Sequence, residues 1–484
     1  MELHLHPGEA GDRVGSLYRQ LREAIVDGRL RSGDRLPPTR TLAEDVGVAR
    51  ATVTAAYERL VAEGLADGRV GAGTFVAAGV RALQALNSEA PAAPMPVAGP
   101  LALSVVKPRP LPSEVRYDLR HGRPDPALFP LREWRALHVS EVSRTDLLRT
   151  AHDLAGEPAL RAAVARHLGR SRGIAATAED VVITRGTQQA LDLLARTLLR
   201  PADVVAIESP AYIDAFAAFE GVRARLTGVP VDRDGLVVDR MPSRAALVYC
   251  TPAHQSPLGP VMSLTRRAAL LAWARTAGAW VVEDDYDTEY RYDHRALDPM
   301  RTLDREGRVL YVGSVSKTLS PRLRVGWLLA PAAVRAAVLQ VKEFLDPFGE
   351  RATQRAMARF IDDGRLAVHV RRTGAVYAAR REVLLEAVAR ELPTFDVIPG
   401  AAGLHITLTC DREPIDLDEL VTRCARRGVL LRTVREASVS TSTPAPGTVS
   451  DGIILGFGTI EERDIPAATA EVARCAYGDG PRAR

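Results

Sequence analysis

The sequence predicts two dissimilar folded regions, a small helical one that ends in a hairpin and a larger α/β one, with a Pro- and Ala-rich segment between them. Residues 12–76 show three helical stretches followed by a cluster of glycines. From about Tyr117 onward, short β-rich runs alternate with amphipathic helices. Such alternation predicts a mainly parallel sheet covered by helices. The 484 residues are enough for about two to four domains.

The N-terminal region has the element order of a winged helix-turn-helix. The amphipathic run LYRQLREAIVDG predicts a first helix that stops at Gly28. A Pro-Pro break, a short helix from about Thr39, a turn at Gly47 and a helix from about Arg50 follow. That order is typical of a helix-turn-helix. The glycine-rich residues 64–76 then predict a hairpin that forms the wing.

Residues 77–115 are predicted to be a linker, because seven prolines lie between Pro91 and Pro112 and helical periodicity is weak. Linkers of this composition are semi-rigid spacers. Residues 116–478 form the predicted C-terminal domain. In it, a long helix after about Phe348 and strands around LHITLT and IILGF indicate a small C-terminal subdomain.

Composition excludes little beyond export and membrane spanning. The chain lacks a basic start followed by an apolar run, and its apolar stretches stay below about 18 residues, so we expect a cytoplasmic protein with no membrane partner. The net charge of +4 is weak evidence for any partner. Four cysteines without paired spacing, Cys250, Cys410, Cys424 and Cys475, argue against a zinc site or a disulfide framework. No metal is expected.

Lysine is rare in this chain, which narrows the choice of a reactive amine to Lys107, Lys317 and Lys342. Lys107 lies in the predicted linker and Lys342 in a predicted helix with ordinary surface character. Lys317 follows the strand run VLYVGSV, and ligands of α/β sheets gather at the carboxyl ends of strands. An amine at such an end can be desolvated enough to lose its proton and condense with an aldehyde.

Groups suited to a phosphate lie near Lys317 in sequence and after another strand. Arginine can bind a phosphate with two hydrogen bonds, beside serine hydroxyls. The free backbone N–H groups at a helix start also bind phosphate, although Gly-Thr before a helix is equally an ordinary cap. The candidates are Ser314, Ser316, Arg324 and, at the helix start after VVIT, Gly186, Thr187 and Gln188.

Side chains after three further strands suit a planar heterocycle. In the run EDDY, Asp284 is assigned to the ring nitrogen, which a carboxylate keeps protonated, and Tyr286 is assigned to the ring's phenolic oxygen. The alternative interpretation of this run is an acidic cluster on the protein surface. Tyr212, after VVAIE, is placed either to stack on the ring or to fill the core. The turn in TPAHQSPLG aims His254 or Gln255 at the same edge of the cofactor.

Together these residues resemble the fold-type I aminotransferase family, and more closely its MocR-type regulators, in which a GntR-like winged helix precedes an aminotransferase-like domain. The motifs that carry the resemblance are S-x-S-K with Arg324 seven residues later, EDDYD, GTQQAL, TPAHQSPLG and AGLH. The run LPPTRTLAEDVGVARATVTAAYERLVAEG is similarly close to the GntR pattern. The resemblance covers nearly the whole chain apart from the linker.

The resemblance implies pyridoxal 5′-phosphate (PLP) as the cofactor and Lys317 as the residue that forms a Schiff base with it. Asp284 then pairs with the pyridinium and Tyr286 contacts the phenolic oxygen. A homodimer is also implied, because active sites of this fold type lie at a dimer interface. The other implied cofactor contacts are Gly186, Thr187, Gln188, Ser314, Ser316 and Arg324 at the phosphate, with Tyr212 and His254 at the ring.

The resemblance to GntR proteins implies double-stranded promoter DNA as a partner. The helix from about Arg50 is expected in the major groove with Arg50, Thr52 and Thr54 near bases. Arg40 and the wing at residues 71–74 are expected at the DNA backbone. Plain helix surface is the alternative for the two threonines. The full set of expected DNA contacts is Arg40, Arg50, Thr52, Thr54, Tyr57, Arg69 and Gly73.

Three positions depart from the family pattern. Ile454 stands where aminotransferases place an arginine for the substrate carboxylate, and Asp214 where GABA-responsive MocR members have an arginine. His152 lies near the place of a tyrosine that related enzymes send to the neighbouring subunit's phosphate. Loss of such anchors weighs against efficient transamination.

Two functions are therefore weighed. The first is a PLP-dependent transcriptional regulator that senses either PLP itself, as in regulators of vitamin B6 synthesis, or an amine effector without the usual α-carboxylate contact; sensing of PLP is preferred. The alternative is an active aminotransferase with an incidental N-terminal domain. The regulator explains both ends of the chain, and enzymatic activity is not expected.

Overall fold

The computed structural model describes residues 5–8, 11–82, 84, 112, 114–148, 153–292, 298–400, 402–410, 415–439, 447–449 and 451–478. The chain divides into two compact units between residues 99 and 100. No helix in these ranges combines the length and the apolar character needed to cross a membrane.

The N-terminal unit is a winged helix-turn-helix, which confirms the predicted fold. Helix α1 buries Leu17, Leu21 and Ile25 completely, as the helical spacing predicts. Gly47 ends α2 with φ of 70°, a left-handed conformation that glycine adopts without strain. Its elements are α1 (Arg13–Val26), α2 (Thr39–Val46), α3 (Arg50–Ala62) and an antiparallel hairpin of β1 (Ala66–Arg69) and β2 (Gly73–Val76).

The N-terminal unit continues past the predicted linker start at residue 77. Ala77 and Val80 belong to its hydrophobic core. The Gln84 side-chain amide donates hydrogen bonds to the carbonyls of Ile25 at 2.7 Å and Leu30 at 2.8 Å. Most of the predicted linker lies outside the described residues.

The C-terminal unit is built on an eight-stranded sheet in the order β4-β11-β10-β9-β8-β5-β6-β7. The central pairs from β10 to β6 are parallel, whereas β11 is antiparallel to both of its neighbours. Buried parallel strands read as nearly continuous apolar runs, which is why the sequence reveals them. The strands are β4 (Val181–Thr184), β5 (Val204–Ser209), β6 (Arg225–Asp232), β7 (Gly235–Leu236), β8 (Leu247–Cys250), β9 (Trp280–Asp285), β10 (Val309–Ser314) and β11 (Gly326–Leu329).

Helices cover both faces of this sheet, as expected for the predicted α/β class. One face packs on Leu191, Leu194 and Phe216, and the other on Leu270 and Met300. The helices of this unit are α4 (Leu131–Val142), α5 (Pro158–Arg172), α6 (Gly186–Leu198), α7 (Ile213–Glu220), α8 (Leu264–Ala277), α9 (Met300–Leu303), α10 (Ala332–Leu345), α11 (Arg351–Asp362), α12 (Arg365–Glu391), α13 (Leu417–Arg426) and α14 (Ile465–Tyr477).

The predicted C-terminal subdomain is present and includes one element from the start of the unit. Its four-stranded sheet has the order β12-β13-β16-β15, and β14 pairs in parallel with β3, so residues 117–118 belong to it. Its strands are β3 (Tyr117–Asp118), β12 (Asp396–Val397), β13 (His405–Thr409), β14 (Val429–Leu430), β15 (Arg432–Thr433) and β16 (Ile453–Gly456).

A buried ion pair fixes the end of β9. The Arg172 guanidinium lies 2.6 Å from Asp285 and 2.7 Å from Glu289, and Tyr311 donates a hydrogen bond of 2.5 Å to Asp285. Burial alone would raise the pKa of Asp285, but Arg172 and the hydrogen bonds from Thr288 and Tyr311 outweigh it and lower that pKa. The network joins α5 to the strand end.

We expect Arg172→Met to lower the free energy of unfolding by about 3 kcal/mol, because the change leaves Asp285 and Glu289 buried without their cation. Arg166→Met is the matched control, since Arg166 lies on the same helix, is half exposed and pairs with Asp362 at 2.7 Å. Arg166→Met should lower the free energy of unfolding by less than about 1 kcal/mol. Urea unfolding of the full chain compares the two; equal losses would contradict the assignment.

Candidate functional site

A cavity of about 340 Å³ opens at the carboxyl edge of the large sheet, where the C-terminal subdomain meets it. A pocket at this edge is expected for a doubly wound sheet. Most residues that the sequence predicts for a cofactor lie together on its wall: Thr187, Gln188, Tyr212, Asp284, Tyr286, Ser314, Ser316, Lys317 and Arg324.

Lys317 reaches into this cavity and donates a hydrogen bond of 2.6 Å from Nζ to the Gly122 carbonyl. Burial lowers the pKa of this amine, although Asp287, Asp284 and Asp214 act in the opposite direction. A Cβ on Gly122 would lie 2.8 Å from Nζ, so a side chain there would displace the amine. Sequence reasoning missed Gly122, since it belongs to no motif that was recognised.

Asp284 is buried at the base of the cavity with one oxygen engaged and one free. Its Oδ2 accepts a hydrogen bond of 2.8 Å from Tyr249, and Oδ1 has no partner among the described residues. Burial raises the pKa of Asp284 to about 7, against the lowering effect of the Tyr249 hydrogen bond. A buried carboxyl with a free oxygen suits a ring N–H group.

The end of the cavity predicted for phosphate is formed where α6 starts beside β11. The backbone is left-handed at Gly186, with φ of 76°, and at Arg324, with φ of 52°. Arg324 donates to the Arg185 carbonyl, and a Cβ on Gly326 would lie 2.7 Å from the Gly186 Cα. Because Gly186 and Gly326 have no side chains, the start of α6 can lie close to Arg324. The free N–H groups at a helix start also favour the binding of anions.

Tyr212 lies on the cavity wall and is held by its neighbours. Its hydroxyl donates a hydrogen bond of 2.9 Å to the Asp214 carboxylate, and the Gln188 amide donates one of 2.9 Å to the Asp214 carbonyl. These bonds join the starts of α6 and α7. Asp214 itself lines the cavity.

His254 and Gln255 lie behind the wall rather than on it. The His254 Nδ1 atom is 3.0 Å from an Asp287 carboxylate oxygen and 2.9 Å from the Tyr286 hydroxyl, so His254 orients Tyr286. The Gln255 amide donates to the Pro210 carbonyl at 2.7 Å and holds the turn. The residue of this turn that lines the cavity is Ser256, which the sequence did not single out.

Two further histidines, His405 and His121, form a row of tilted rings with His254. The ring centroid of His405 is 5.4 Å from that of His254 and 5.4 Å from that of His121. Burial lowers the pKa of His405 to about 4, helped by the nearby His254, and burial also lowers the pKa of His121. Both rings are therefore neutral near pH 7. The AGLH motif points to His405, whereas His121 carried no signal.

An arginine-rich wall faces the cavity from the C-terminal subdomain side. Arg120, Arg123 and Arg432 line it together with Ile454. Asp118 pairs with Arg120 at 2.6 Å and with Arg123 at 3.1 Å. None of these three arginines was predicted, because their approach depends on long-range packing.

Lys342 is buried, not on the surface: it is 4% exposed and donates a hydrogen bond of 3.1 Å to the Asp346 carbonyl. His152 lies outside the described residues.

The winged helix-turn-helix carries most of its predicted DNA residues at the surface. Arg40, Arg50, Arg69 and Gly73 are exposed, and Thr52 and Thr54 are half-buried.

Tyr57 is the exception among these residues. It is 4% exposed and donates a hydrogen bond of 2.8 Å to the Pro37 carbonyl, so its side chain belongs to the domain core rather than to a DNA surface.

Comparison with known proteins matches both units. Residues 14–76 match the family of bacterial regulatory proteins, gntR family, and residues 124–446 match aminotransferase class I and II. The fold is similar to Pyrococcus horikoshii kynurenine aminotransferase, solved in complex with PMP, at 28% identity and a TM-score of 0.68, over 75% of this chain and 91% of that one.

Two relatives match most of the chain. The chain is 36% identical to the probable rhizopine catabolism regulatory protein MocR of Rhizobium meliloti, over 85% of this chain and 84% of the relative. It is 30% identical to the pyridoxine biosynthesis transcriptional regulator PdxR of Corynebacterium glutamicum, over 98% of each. The chain therefore belongs to the MocR-type transcriptional regulators, in which a GntR-family helix-turn-helix domain precedes an aminotransferase class I and II domain.

Proposed function

We propose that this chain binds promoter DNA through α2, α3 and the wing and holds PLP on Lys317, so that the cofactor controls transcription. The observation that carries the proposal is the placement of the Lys317 amine and the free Asp284 oxygen in one cavity, in a chain that also has a helix-turn-helix. A homodimer in the cytoplasm is part of the proposal, since half-sites on DNA favour paired reading domains.

The residues present fit PLP. When bound, PLP supplies an aldehyde that a lysine amine can attack and a ring that acts as an electron sink. Asp284 would hold a proton at the ring nitrogen through Oδ1, and Tyr286, oriented by His254, would donate to the phenolic oxygen. Arg324, Ser314, Ser316 and the start of α6 would bind the phosphate, while Tyr212 packs against the ring.

The sensed ligand is proposed to be PLP itself. The support is the similarity, over 98% of the chain, to a regulator named for pyridoxine biosynthesis. An amine effector is the second possibility.

Catalytic transamination is the alternative function. The predicted cofactor contacts that line the cavity favour it, whereas Ile454 at the wall offers no charge for a substrate carboxylate. Conversion of a panel of amino acids by the PLP-loaded chain tests it; turnover with rates typical of enzymes would replace the regulatory proposal.

DNA binding tests the proposal directly. PLP should change the affinity for a fragment of the gene's own upstream region by about tenfold or more, since couplings between sites are typically of that size. Fluorescence anisotropy at fixed salt measures this affinity. Absence of specific binding with and without PLP would refute the regulatory role.

We expect Arg50→Ala to weaken binding to that fragment by about tenfold or more, because Arg50 is exposed at the start of the predicted recognition helix. The matched control is Arg19→Ala, since Arg19 is exposed on α1 and pairs with Asp12 at 2.6 Å. The control should bind like the original chain. Equal effects of the two changes would exclude α3 as the reading element.

We expect Lys317→Ala to lose the visible absorbance of lysine-bound PLP, because no other amine lines this cavity among the described residues. Lys342→Met is the control, since Lys342 lies at a separate pocket. Titration with PLP, followed by gel filtration and absorbance, distinguishes them. Retention of the band in Lys317→Ala would place the cofactor elsewhere.

The pH dependence of stability should report on Asp284. Burial raises the pKa of this carboxyl to about 7, so the folded, cofactor-free chain holds a proton that the unfolded chain releases. Stability from this group is therefore greatest at low pH and falls as pH rises towards 7. Asp284→Asn should reduce that fall by ~1.4 kcal/mol per pH unit between pH 5 and 6.5, measured by urea unfolding. An unchanged slope would contradict a protonated Asp284.

A further inference from the structure

Two cysteines, Cys424 and Cys475, meet where α13 packs against α14. Both side chains belong to one hydrophobic cluster, in which Cys424 is 0% and Cys475 4% exposed. The Cys424 thiol donates a hydrogen bond to the Cys475 sulfur. The two residues lie far apart in the sequence, so their spacing did not reveal this contact. The fold thus brings two thiols together inside the C-terminal subdomain.

A neighbouring ion pair supports this alignment of the two helices. Arg427, three residues after Cys424, pairs with Glu471, which lies four residues before Cys475. The two contacts therefore run in opposite directions along α13 and α14, as in an antiparallel helix pair. Because residues three or four apart share one face of a helix, the ion pair places the two cysteines opposite each other about one turn away.

The surroundings make Cys475 the more acidic of the two thiols. The hydrogen bond from Cys424 lowers the pKa of Cys475 against the effect of burial, and the charge of Arg427 lowers it further. The same hydrogen bond, together with burial, raises the pKa of Cys424. Since the thiolate is the reactive form of cysteine, Cys475 is suited to react first and Cys424 second. Cys475 also lies in the last turn of α14, and helix ends open locally at little cost in free energy.

We propose that Cys424 and Cys475 form a reversible disulfide when the chain meets hydrogen peroxide. The Cys475 thiolate attacks one peroxide oxygen and the O–O bond breaks, which leaves a sulfenic acid on Cys475 and a hydroxide that takes up a proton to become water. The Cys424 sulfur then attacks the Cys475 sulfur, and its proton leaves with the displaced hydroxide as a second water. The two thiols lose two electrons, and the peroxide gains them. A small thiol reductant reverses the reaction by exchange.

The cross-link closes a loop that carries part of the cavity wall. Between the two cysteines lie β14, β15 and β16, and Arg432 and Ile454 of these strands line the cavity. A disulfide restrains the unfolded chain, so the oxidised protein should be more stable against urea than the reduced protein. Oxidation would thus change the stability of the segment that forms this wall, whether or not PLP is bound.

The test treats the reduced, full-length chain with increasing amounts of hydrogen peroxide. Two of the four thiols should be lost, the mass should fall by two hydrogens, and peptide mapping should link Cys424 to Cys475. Cys410 is the internal control: it is more exposed than either member of the pair, yet it should stay reduced. Dithiothreitol should restore both thiols. The oxidised chain should unfold at a higher urea concentration than the reduced chain.

Substitutions separate the two roles. In Cys424→Ala a sulfenic acid should accumulate on Cys475 and react with dimedone, whereas Cys475→Ala should leave Cys424 reduced. Cys410→Ser should form the disulfide like the original chain. A pair that stays reduced, reaction of Cys410 before the pair, or links to other cysteines would overturn the proposal, and the original chain alone decides this even if a variant does not fold. A urea midpoint that does not rise on oxidation would overturn the restraint of the wall segment.

Discussion

The burial of three consecutive carboxyl groups at the end of β9 is the constraint on which the cavity depends. Glu283 accepts hydrogen bonds from the backbone N–H groups of Met300 at 2.7 Å and Arg301 at 2.8 Å. Asp285 is satisfied by Arg172 and Tyr311. Of these three carboxyl groups, Asp284 is the one with an oxygen that has no partner among the described residues. Since buried polar groups are costly unless they are bonded, the two satisfied neighbours hold the strand end in place, and the third is left for a ligand.

The sequence predicted those parts of the site that follow strand ends, because a buried parallel strand is a readable apolar run and the residue after it is near the ligand. Lys317 and Asp284 were assigned to the site in this way, and Arg324 was assigned from its position seven residues after Lys317. Gly122, Arg172 and Arg432 were not, since each reaches its place through pairing between distant segments. Local pattern alone cannot encode the register that sets Arg432 opposite Ile454.

Side-chain burial is the second property that local pattern predicted poorly. Tyr57 lies on the predicted recognition helix, yet it faces the core of its domain and bonds to Pro37. Lys342 lies on an amphipathic helix, and its flexible stem lets the charged end reach the Asp346 carbonyl inside the protein. The positions of helices were predictable, whereas the direction of an individual amphipathic side chain depended on neighbours that the sequence does not reveal.

The hydrogen bond from Lys317 to Gly122 spans two parts of the C-terminal unit. Lys317 follows a strand of the large sheet, whereas residues 120–123 pack against the subdomain, where a Cβ on Gly456 would lie 2.6 Å from the Arg120 carbonyl. This hydrogen bond therefore links the sheet to the subdomain. A carbonyl compound that condensed with the amine would take Nζ out of this contact, so the chemical state of one nitrogen would change how firmly the two parts are held together.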